Sequence, residues 1–420
     1  MALIFYKIFL FIYAAGIKSF AAFNKKARLW LDGRNQLLNR MANTFAGNES
    51  PLIWIHCASL GEFEQGRPVL ELLREQYKDH KILLTFFSPS GFEVQKNYKG
   101  ADFVFYLPFD STSNAEKFLN ITKPALAIFV KYEYWYYILE KTYKKNIPIL
   151  LISAVFTDSQ PFFKWYGSLH RKMLGFFTHI FVQDQSSLIH LKKIKELPVT
   201  VAGDTRFDRV WEIAQKKSTI PYLNAFCNKQ QVLIAGSTWP ADEALLSQLF
   251  QQPVFSKIKL VIAPHEISEI NLASIRSLLK DAVFYSELKN DQEAAKAQIL
   301  VIDNVGMLSR LYQYATVTYV GGGFSKDGIH NILEAAVWGK PVLFGPNHKK
   351  FKEAERLIAA GGGKSFSDLN QLNINMLEYF TNATANKKAA EAAQFFIQNN
   401  RGASLKVLDF IQENRLLTNL

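Results

Sequence analysis

The sequence has little cysteine and no pattern typical of metal ligands. Its two cysteines, Cys57 and Cys227, lie far apart in apolar segments, which favours buried free thiols in a reducing compartment over a disulfide framework. The eight histidines show no spacing typical of zinc ligands, and no cysteine pair accompanies them. We therefore expect neither a structural nor a catalytic metal.

Two glycine signatures of nucleotide-binding proteins are also missing. The stretch VGGGFSKDGIHNILEAAVWGKPVLFGP (Val320–Pro346) contains three consecutive glycines, but it has neither the GK[ST] of a P-loop nor the spaced GxGxxG of dinucleotide folds. The absence of GxGxxG argues against a dinucleotide-dependent oxidoreductase. We also find no internal repeat of fixed period and no low-complexity tract.

The composition that is present indicates a globular chain with an anionic partner. Hydrophobic residues make up 49% of the chain and charged residues 20%, and 420 residues are enough for two ordinary domains. The net charge of +12 points to nucleic acid, a phospholipid surface or a phosphorylated substrate. Composition alone does not choose among these three partners.

The N-terminal segment is the longest apolar run in the chain. Residues 2–23 are interrupted only by Lys7 and Lys18, and the cations Lys25, Lys26 and Arg28 follow the run. This arrangement predicts a membrane anchor with its cations on the cytoplasmic side. A cleaved signal peptide lacks a convincing cleavage site here, whereas a helix buried against the body of the protein stays open as an alternative.

Short apolar runs separated by helical stretches fill the rest of the chain. Runs that are apolar throughout indicate parallel strands covered on both faces of a sheet. The first series is LIWIHCAS, KILLTFF, DFVFYLP, LAIFV, IPILLISA, HIFVQD and VTVAG. The second series is QVLIAGS, KLVIAPH, AQILVID, VTYVGGG and KPVLFGP.

These two series predict two doubly wound α/β domains joined by a linker around Arg209–Asn228. Ligands bind outside the carboxyl ends of such strands, so we expect one cleft between the domains. We expect a C-terminal helix from about Ala389 to Asn414 to pack back across both domains. The predicted boundaries are an anchor helix over 1–24, a first domain over 25–215, a second over 225–390 and the C-terminal helix over 391–420.

Three charged residues of the first domain are candidates for chemistry. Glu62, in SLGEFEQGRP, is either a favoured charge at a helix N-terminus or a general base. Glu133 lies among aromatic residues in KYEYWYYIL, where an unpaired charge is destabilising to bury, so we expect a functional or salt-bridged role. Arg206, in GDTRFD, either pairs with a neighbouring aspartate or neutralises a phosphate or carboxylate.

Two loops of the second domain are candidates for a phosphate-bearing ligand. Asn331 and Glu334 have the spacing of a helix capping box, but the same helix start would suit a phosphate, with Glu334 accepting hydrogen bonds from a ribose diol. Gly236, Ser237 and Thr238, in AGSTWP, offer amides and hydroxyls at a strand-to-helix turn and form a candidate anion nest.

The order of these motifs resembles a known family. SLGE, YLPFD, an E-x-W segment, GDTRFD, AGST and GG…HN-x-LE…GKPVLFGP are similar to the bacterial transferases of 3-deoxy-D-manno-octulosonic acid (Kdo) in lipopolysaccharide assembly, glycosyltransferase family 30. The resemblance runs from about Lys26 to Arg356. It implies a GT-B fold of two Rossmann-like domains facing a cleft.

The resemblance also implies roles for individual residues. Glu62 matches the catalytic base, and Glu133 and Arg206 match residues assigned to transition-state stabilisation. Other positions match segments that hold CMP: Pro264, His265, Gly306, Met307, Leu308, Asn331, Ile332, Leu333 and Glu334.

The sequence departs from the family pattern at four places. Lys131 stands where the family has the first glutamate of a Glu-Thr-Glu segment, and Arg206 replaces a lysine, which keeps the charge but changes the geometry. His265 and Glu266 replace an Arg-His pair, and Met307 replaces a frequent glutamate. These differences are typical of a divergent branch of the family.

The resemblance implies an inverting transfer of Kdo from CMP-Kdo to the lipid A precursor, lipid IVA, at the cytoplasmic face of the inner membrane. It implies no cofactor, no metal and no nucleic-acid partner, and an anionic membrane surface would suit the net charge. Two further alternatives stay open at this point: another GT-B enzyme with a different nucleotide-sugar or acceptor, and a non-catalytic membrane-bound binding protein.

Overall fold

The computed structural model describes residues 2–194, 196–216 and 218–417. The chain forms two compact units, the first of Met1–Arg209 with Arg401–Leu420 and the second of Val210–Asn400. Each unit contains one sheet of seven parallel strands, with helices between the strands. The prediction of two α/β domains built on parallel sheets is confirmed.

The sheet of the first unit has the strand order β3-β2-β1-β4-β5-β6-β7. In the interior strand Leu52–Cys57, Trp54 belongs to one hydrophobic core and Ile53 and Ile55 to another, so apolar side chains cover both faces. The strands are β1 (Leu52–Cys57), β2 (Lys81–Phe86), β3 (Phe103–Tyr106), β4 (Pro124–Val130), β5 (Ile149–Ala154), β6 (His179–Val182) and β7 (Val199–Val201).

Among the described residues, ten α-helices precede or follow the strands of this unit, and the chain passes into the second unit within the tenth. They are α1 (Ala2–Phe20), α2 (Lys25–Arg34), α3 (Leu37–Phe45), α4 (Leu60–Gln76), α5 (Pro89–Gln95), α6 (Thr112–Thr122), α7 (Tyr136–Lys144), α8 (Ser168–Leu174), α9 (Gln185–Lys192) and α10 (Arg206–Gln215).

The first helix, α1, packs on the first unit along one side only. Leu10 is buried, and the Tyr6 hydroxyl donates to the Asp110 carboxylate at 2.5 Å. The opposite side exposes large apolar side chains: Ile4, Phe5, Ile8, Phe9, Phe11, Ile12 and Phe20. The alternative of a buried helix is wrong, and α1 is long and apolar enough to cross a membrane.

The second unit has the strand order β10-β11-β9-β8-β12-β13-β14. Its strands are β8 (Val232–Thr238), β9 (Lys259–Pro264), β10 (Ala282–Phe284), β11 (Ile299–Val301), β12 (Val317–Val320), β13 (Val342–Phe344) and β14 (Gly363–Ser365). Strands β10 and β14 were not predicted, because each is a three-residue strand at a sheet edge and is too short to form an apolar run.

The helices of the second unit begin inside the segment predicted as a linker. That segment is largely helical because Val210, Leu223 and Phe226 bury their side chains. The helices are α11 (Leu223–Cys227), α12 (Pro240–Phe250), α13 (Glu269–Leu278), α14 (Asp291–Lys296), α15 (Leu308–Leu311), α16 (Leu333–Ala336), α17 (Lys352–Ala359), α18 (Leu369–Thr381) and α19 (Ala383–Asn400).

The single helix predicted over Ala389–Asn414 is two helices. Gly402 has φ 102° and interrupts the helix after α19, and a last helix, α20 (Ala403–Glu413), follows. The Asp208 carboxylate accepts the backbone N–H groups of Gly402 and Ser404 and caps the start of α20. This last helix belongs to the first unit, where it packs against α4.

Candidate active site

Glu62 lies at the start of α4, directly after the carboxyl end of β1. Ser59 is the extended residue before the helix, and its hydroxyl donates to the Glu62 carboxylate. The Glu62 side chain is partly exposed in the first helical turn. The sequence placed Glu62 at a helix N-terminus after a strand, and the structure has it there with its carboxylate oriented by a local hydroxyl.

Glu133 lies in the segment between β4 and α7, at the neighbouring strand end. Its side chain is buried, and its Oε2 lies 2.7 Å from His56 Nε2 and accepts from Trp135 Nε1 at 2.6 Å. These two hydrogen bonds pair the buried Glu133 carboxylate, for which the sequence alone indicated no partner. Glu133 is therefore held by hydrogen bonds to two ring N–H groups.

The Cys57 thiol lies close enough to both carboxylates for their charges to affect its pKa. This fully buried thiol ends β1, and its pKa is raised first by burial and then by the negative charges of Glu62 and Glu133. Both carboxylates thus lie within electrostatic range of one strand end. The second cysteine, Cys227, is only partly buried, so the expectation of two buried thiols is wrong for it.

Two polar residues inside the strands, His56 and Thr85, support Glu133 together with the indole of Trp54, and none of the three was predicted as a site residue. His56 Nδ1 lies 2.9 Å from Thr85 Oγ1, which accepts a hydrogen bond from Trp54 Nε1 at 2.8 Å. All three side chains are fully buried. The available signal was a histidine and a threonine within otherwise apolar strands, LIWIHC and KILLTF.

An aromatic cluster connects this site to α1. Trp135 stacks on Phe87 with ring centroids 4.4 Å apart. Phe87 also contacts Trp30 and Tyr13, and Tyr13 stacks against Phe109. The loop that carries Glu133 is thereby packed against aromatic side chains that reach the N-terminal helix.

Arg206 makes an ion pair with its neighbour Asp204. Its Nε and NH2 groups donate to the Asp204 carboxylate at 2.9 and 2.6 Å, and Asp204 also accepts the Arg206 backbone N–H. Of the two possibilities that the sequence left open, pairing with an aspartate is therefore realised. Part of the guanidinium charge is neutralised within the first unit.

In the second unit, the glycine stretch allows two backbones to approach closely. A Cβ atom at Gly321 would lie 2.3 Å from the carbonyl oxygen of Ser237, at the end of β8. The Gly321 N–H donates to the Gly236 carbonyl at 2.9 Å. Tyr312 and Leu308 pack directly on Gly236 from the other side. Close packing therefore explains the glycine at position 321 without any ligand.

Gly236, Ser237 and Thr238 were predicted to form a strand-to-helix turn, but they are the last three residues of β8. Two buried acids follow them in the first turn of α12. Asp242 accepts the N–H groups of Trp239 and Gly322, both at 2.9 Å, and Glu243 accepts the Thr238 hydroxyl at 3.0 Å. Burial raises the pKa of both acids. The sequence analysis missed them, although an acidic pair in the first turn of a helix after STWP was the available signal.

His265 belongs to a stack of three rings at the ends of β8 and β9. The ring planes of Trp239 and His330 are nearly parallel, and an Nε1–H to Nε2 hydrogen bond of 2.9 Å joins the two rings. His265 stacks over both, with ring centroids 4.8 and 4.3 Å away. Burial and the neighbouring His265 lower the pKa of His330 to about 4, so His330 is neutral near pH 7.

Asn331 and Glu334 form a local cap on a very short helix. Asn331 Oδ1 accepts from the Leu333 N–H at 3.2 Å, and its amide donates to Glu334 at 3.1 Å. The helix α16 has four residues, so the helix expected to face a phosphate is a single turn. One turn aligns few peptide dipoles, so the expectation that this helix start stabilises a phosphate through a helix dipole is wrong.

The remaining predicted CMP contacts lie at the same edge of this sheet. Pro264 ends β9, and Gly306, Met307 and Leu308 follow β11. Together with the turn after β8 and the segment before α16, they form four neighbouring loops of one unit. Among the described residues, no group of three or more histidine, cysteine or acidic side chains is arranged to hold a metal ion.

Comparison with known proteins relates the chain to one family. Residues 35–209 match the family model described as 3-deoxy-D-manno-octulosonic-acid transferase (kdotransferase). The 3-deoxy-D-manno-octulosonic acid transferase of Aquifex aeolicus is 28% identical over 78% of this chain and 85% of its own length. That of Haemophilus influenzae is 22% identical over 86% of each chain. The match to a bifunctional glycosyltransferase/methyltransferase of Fusobacterium nucleatum, 26% identical over 91% of this chain, spans 60% of that protein.

Solved structures similar to this chain span both units. A UDP-GlcNAc 2-epimerase from Neisseria meningitidis bound to UDP-GlcNAc has a TM-score of 0.62, with 16% identity over 86% of this chain and 100% of its own. A glycosyltransferase from Rickettsia africae has a TM-score of 0.57, with 16% identity over 89% of this chain and 100% of its own. At this level of identity the likeness concerns the fold, and it confirms the GT-B class.

Proposed function

We propose that this chain, which matches the Kdo transferase family model over residues 35–209 and resembles curated Kdo transferases over most of its length, moves Kdo from CMP-Kdo to the lipid A precursor in lipopolysaccharide biosynthesis, with inversion at the anomeric carbon. The observation that carries the proposal is Glu62, an oriented and partly exposed carboxylate at the end of β1 inside the matched region.

Glu62 acts as the general base in this reaction. The acceptor hydroxyl oxygen attacks the anomeric carbon of Kdo while the bond from that carbon to the CMP phosphate oxygen breaks. The hydroxyl proton passes to Glu62, and the bonding electrons leave with CMP. A carboxylate fixed by Ser59 at a helix start is suited to this transfer, because a general base needs a defined position near the proton.

Glu133 and Arg206 stabilise charge in the same step. Glu133, held by His56 and Trp135, presents a negative charge to the positive character that develops on the sugar ring. Arg206 faces the opposite charge, on the departing phosphate. The Arg206 guanidinium would interact with Asp204 and with that phosphate at the same time. Arg206 therefore stabilises the departing phosphate less than an arginine without a carboxylate partner would.

The donor nucleotide binds in the second unit. The candidate contacts lie on four loops at one sheet edge, which is where ligands bind in doubly wound sheets. His265, exposed at the outer face of its ring stack, occupies the position of the family's arginine and contacts the nucleotide there. We propose no cofactor and no metal ion, since CMP leaves as a stabilised phosphate.

The acceptor is reached from the membrane surface. The apolar outer side of α1 inserts into the inner membrane at its cytoplasmic face, and Lys25 and Lys26 just after it contact anionic headgroups. The net charge of +12 favours a phosphorylated acceptor and an anionic surface. These partners account for the charge without a nucleic acid.

The test is a transfer assay with purified full-length protein, CMP-Kdo and the tetraacyl disaccharide bisphosphate, with products identified by mass spectrometry. We expect the acceptor mass to increase by whole Kdo units. An unchanged acceptor mass under conditions where the protein is folded and binds CMP would contradict the proposal.

A competition experiment separates this function from transfer of another nucleotide-sugar on the same fold. CMP should inhibit Kdo transfer and UDP should not. Inhibition by UDP at lower concentration than CMP would favour a different donor.

A further inference from the structure

His56 lies in the middle of the first sheet, and its two ring nitrogens face different groups. Its side chain has no exposed surface and contacts Phe129 edge to face. Nε2 lies 2.7 Å from Glu133 Oε2, and Nδ1 lies 2.9 Å from Thr85 Oγ1 and 3.1 Å from the Thr85 carbonyl oxygen. The ring thus connects the segment that follows β4 with Thr85, the second-last residue of β2.

The Glu133 carboxylate decides that Nε2 of His56 carries a proton, because an ionised carboxylate only accepts hydrogen bonds. The indole N–H of Trp54 is a donor only, so Thr85 Oγ1 accepts from it at 2.8 Å. The Thr85 hydroxyl, which can donate or accept, and the Thr85 carbonyl oxygen, which only accepts, lie next to His56 Nδ1. Nε2 therefore donates to Glu133, and Thr85 holds the other side of the ring.

The same arrangement leaves Glu133 with two unlike oxygen atoms. Both donors, His56 Nε2 and Trp135 Nε1, reach Oε2, and within residues 2–194, 196–216 and 218–417 no hydrogen bond to Oε1 is present. Trp135 is itself fixed by its stacking on Phe87. The carboxylate is therefore held in one orientation with Oε1 available to a ligand.

We propose that His56 is a positioning residue, which donates from Nε2 to Glu133 and so aims the free oxygen of that carboxylate at the reacting sugar. This inference rests on the proposed function, because Glu133 acts on the sugar only if Kdo is transferred. His56 itself touches neither substrate; it acts through Glu133.

Two substitutions at His56 separate hydrogen bonding from packing. The amide nitrogen of a glutamine reaches about as far as Nε2, whereas that of an asparagine reaches only as far as Nδ1. His56→Gln should keep the bond to Glu133 and keep kcat within about threefold, whereas His56→Asn should lower kcat about 10- to 100-fold with little change in KM for CMP-Kdo, the loss expected for one hydrogen bond to a charged group.

His179→Gln is the matched control, because His179 begins β6 of the same sheet and bonds Thr200 through Nε2 at 2.8 Å. It should transfer Kdo at the wild-type rate. Equal losses in the Gln and Asn variants of His56, or no loss in either, would overturn the proposal. Circular dichroism melting of each variant shows whether it is folded.

A second measurement does not depend on activity. Nitrogen-15 NMR of histidine-labelled protein should show a proton on His56 Nε2, and Glu133→Gln should shift that nitrogen resonance. A His56 ring without a proton on Nε2 would overturn the proposal even if Kdo transfer is observed. If wild-type protein transfers no Kdo, the proposed function fails, and this spectrum still decides how His56 holds Glu133.

Discussion

Gly321→Ala should destabilise the second unit through a backbone clash. The new Cβ would lie 2.3 Å from the Ser237 carbonyl oxygen and 2.7 Å from Thr238 Cα, and backbone atoms tied into the sheet cannot rotate away. Overpacking of this kind costs about 3 kcal/mol, and the reduced entropy of the unfolded chain returns about 0.7 kcal/mol. The net loss of about 2 kcal/mol lowers the melting temperature of a unit this size by about 4 to 8 °C.

Gly61→Ala is the matched control for this prediction. It has the same effect on the unfolded chain, but its Cβ would meet only Ser59 Oγ, at 3.8 Å. Circular dichroism melting of the two full-length variants in detergent should therefore give a lower melting temperature for Gly321→Ala alone. Equal melting temperatures would refute the reasoning that this glycine is required by the close approach of two strand ends.

Further predictions concern the base, the ring stack and the anchor. Glu62→Gln should reduce Kdo transfer at least 100-fold with CMP binding unchanged, whereas Glu64→Gln on the same helix should not; the transfer assay and calorimetric titration of CMP check this. Because the pKa of His330 falls from 6.5 to about 4 on folding, the unfolded chain binds more protons between these values, so the melting temperature should decrease as pH is lowered through that window and should do so less in His330→Phe. Phe9→Glu on the exposed side of α1 should weaken co-sedimentation with anionic vesicles several-fold more than Ser19→Glu, and equal binding would argue against insertion of that side.

The sheets could be predicted from the sequence because each long strand is apolar along its whole length. That pattern indicates parallel strands covered on both faces, and seven-stranded parallel sheets are what the structure has. The positions of Glu62 and Glu133 at strand ends followed from the same pattern. Three-residue edge strands such as Ala282–Phe284 carry too few residues to give a signal.

The hydrogen-bond and ion-pair partners of the site residues could not be predicted. Some partners come from distant parts of the chain, and in one case two neighbouring residues could equally form the same ion pair. His56 and Glu133 are brought together by the pairing of β1 with β4, which a single sequence does not encode in any local pattern. Arg206 has an aspartate two residues before it and another two residues after it. In the structure it pairs with Asp204, whereas Asp208 caps α20. The break at Gly402 depends on a left-handed backbone conformation that glycine permits but does not require.

The contact between Tyr6 and Asp110 limits how this protein can be shortened for study. Asp110 accepts not only the Tyr6 hydroxyl but also the backbone N–H groups of Tyr137 and Ile138, and so caps α7 immediately after the loop that carries Glu133. Tyr6 in turn accepts the Tyr136 N–H. Removing the apolar helix to improve solubility would therefore also remove a hydrogen-bond partner from the start of α7, and low activity of such a truncated chain could not be attributed to the loss of membrane contact alone.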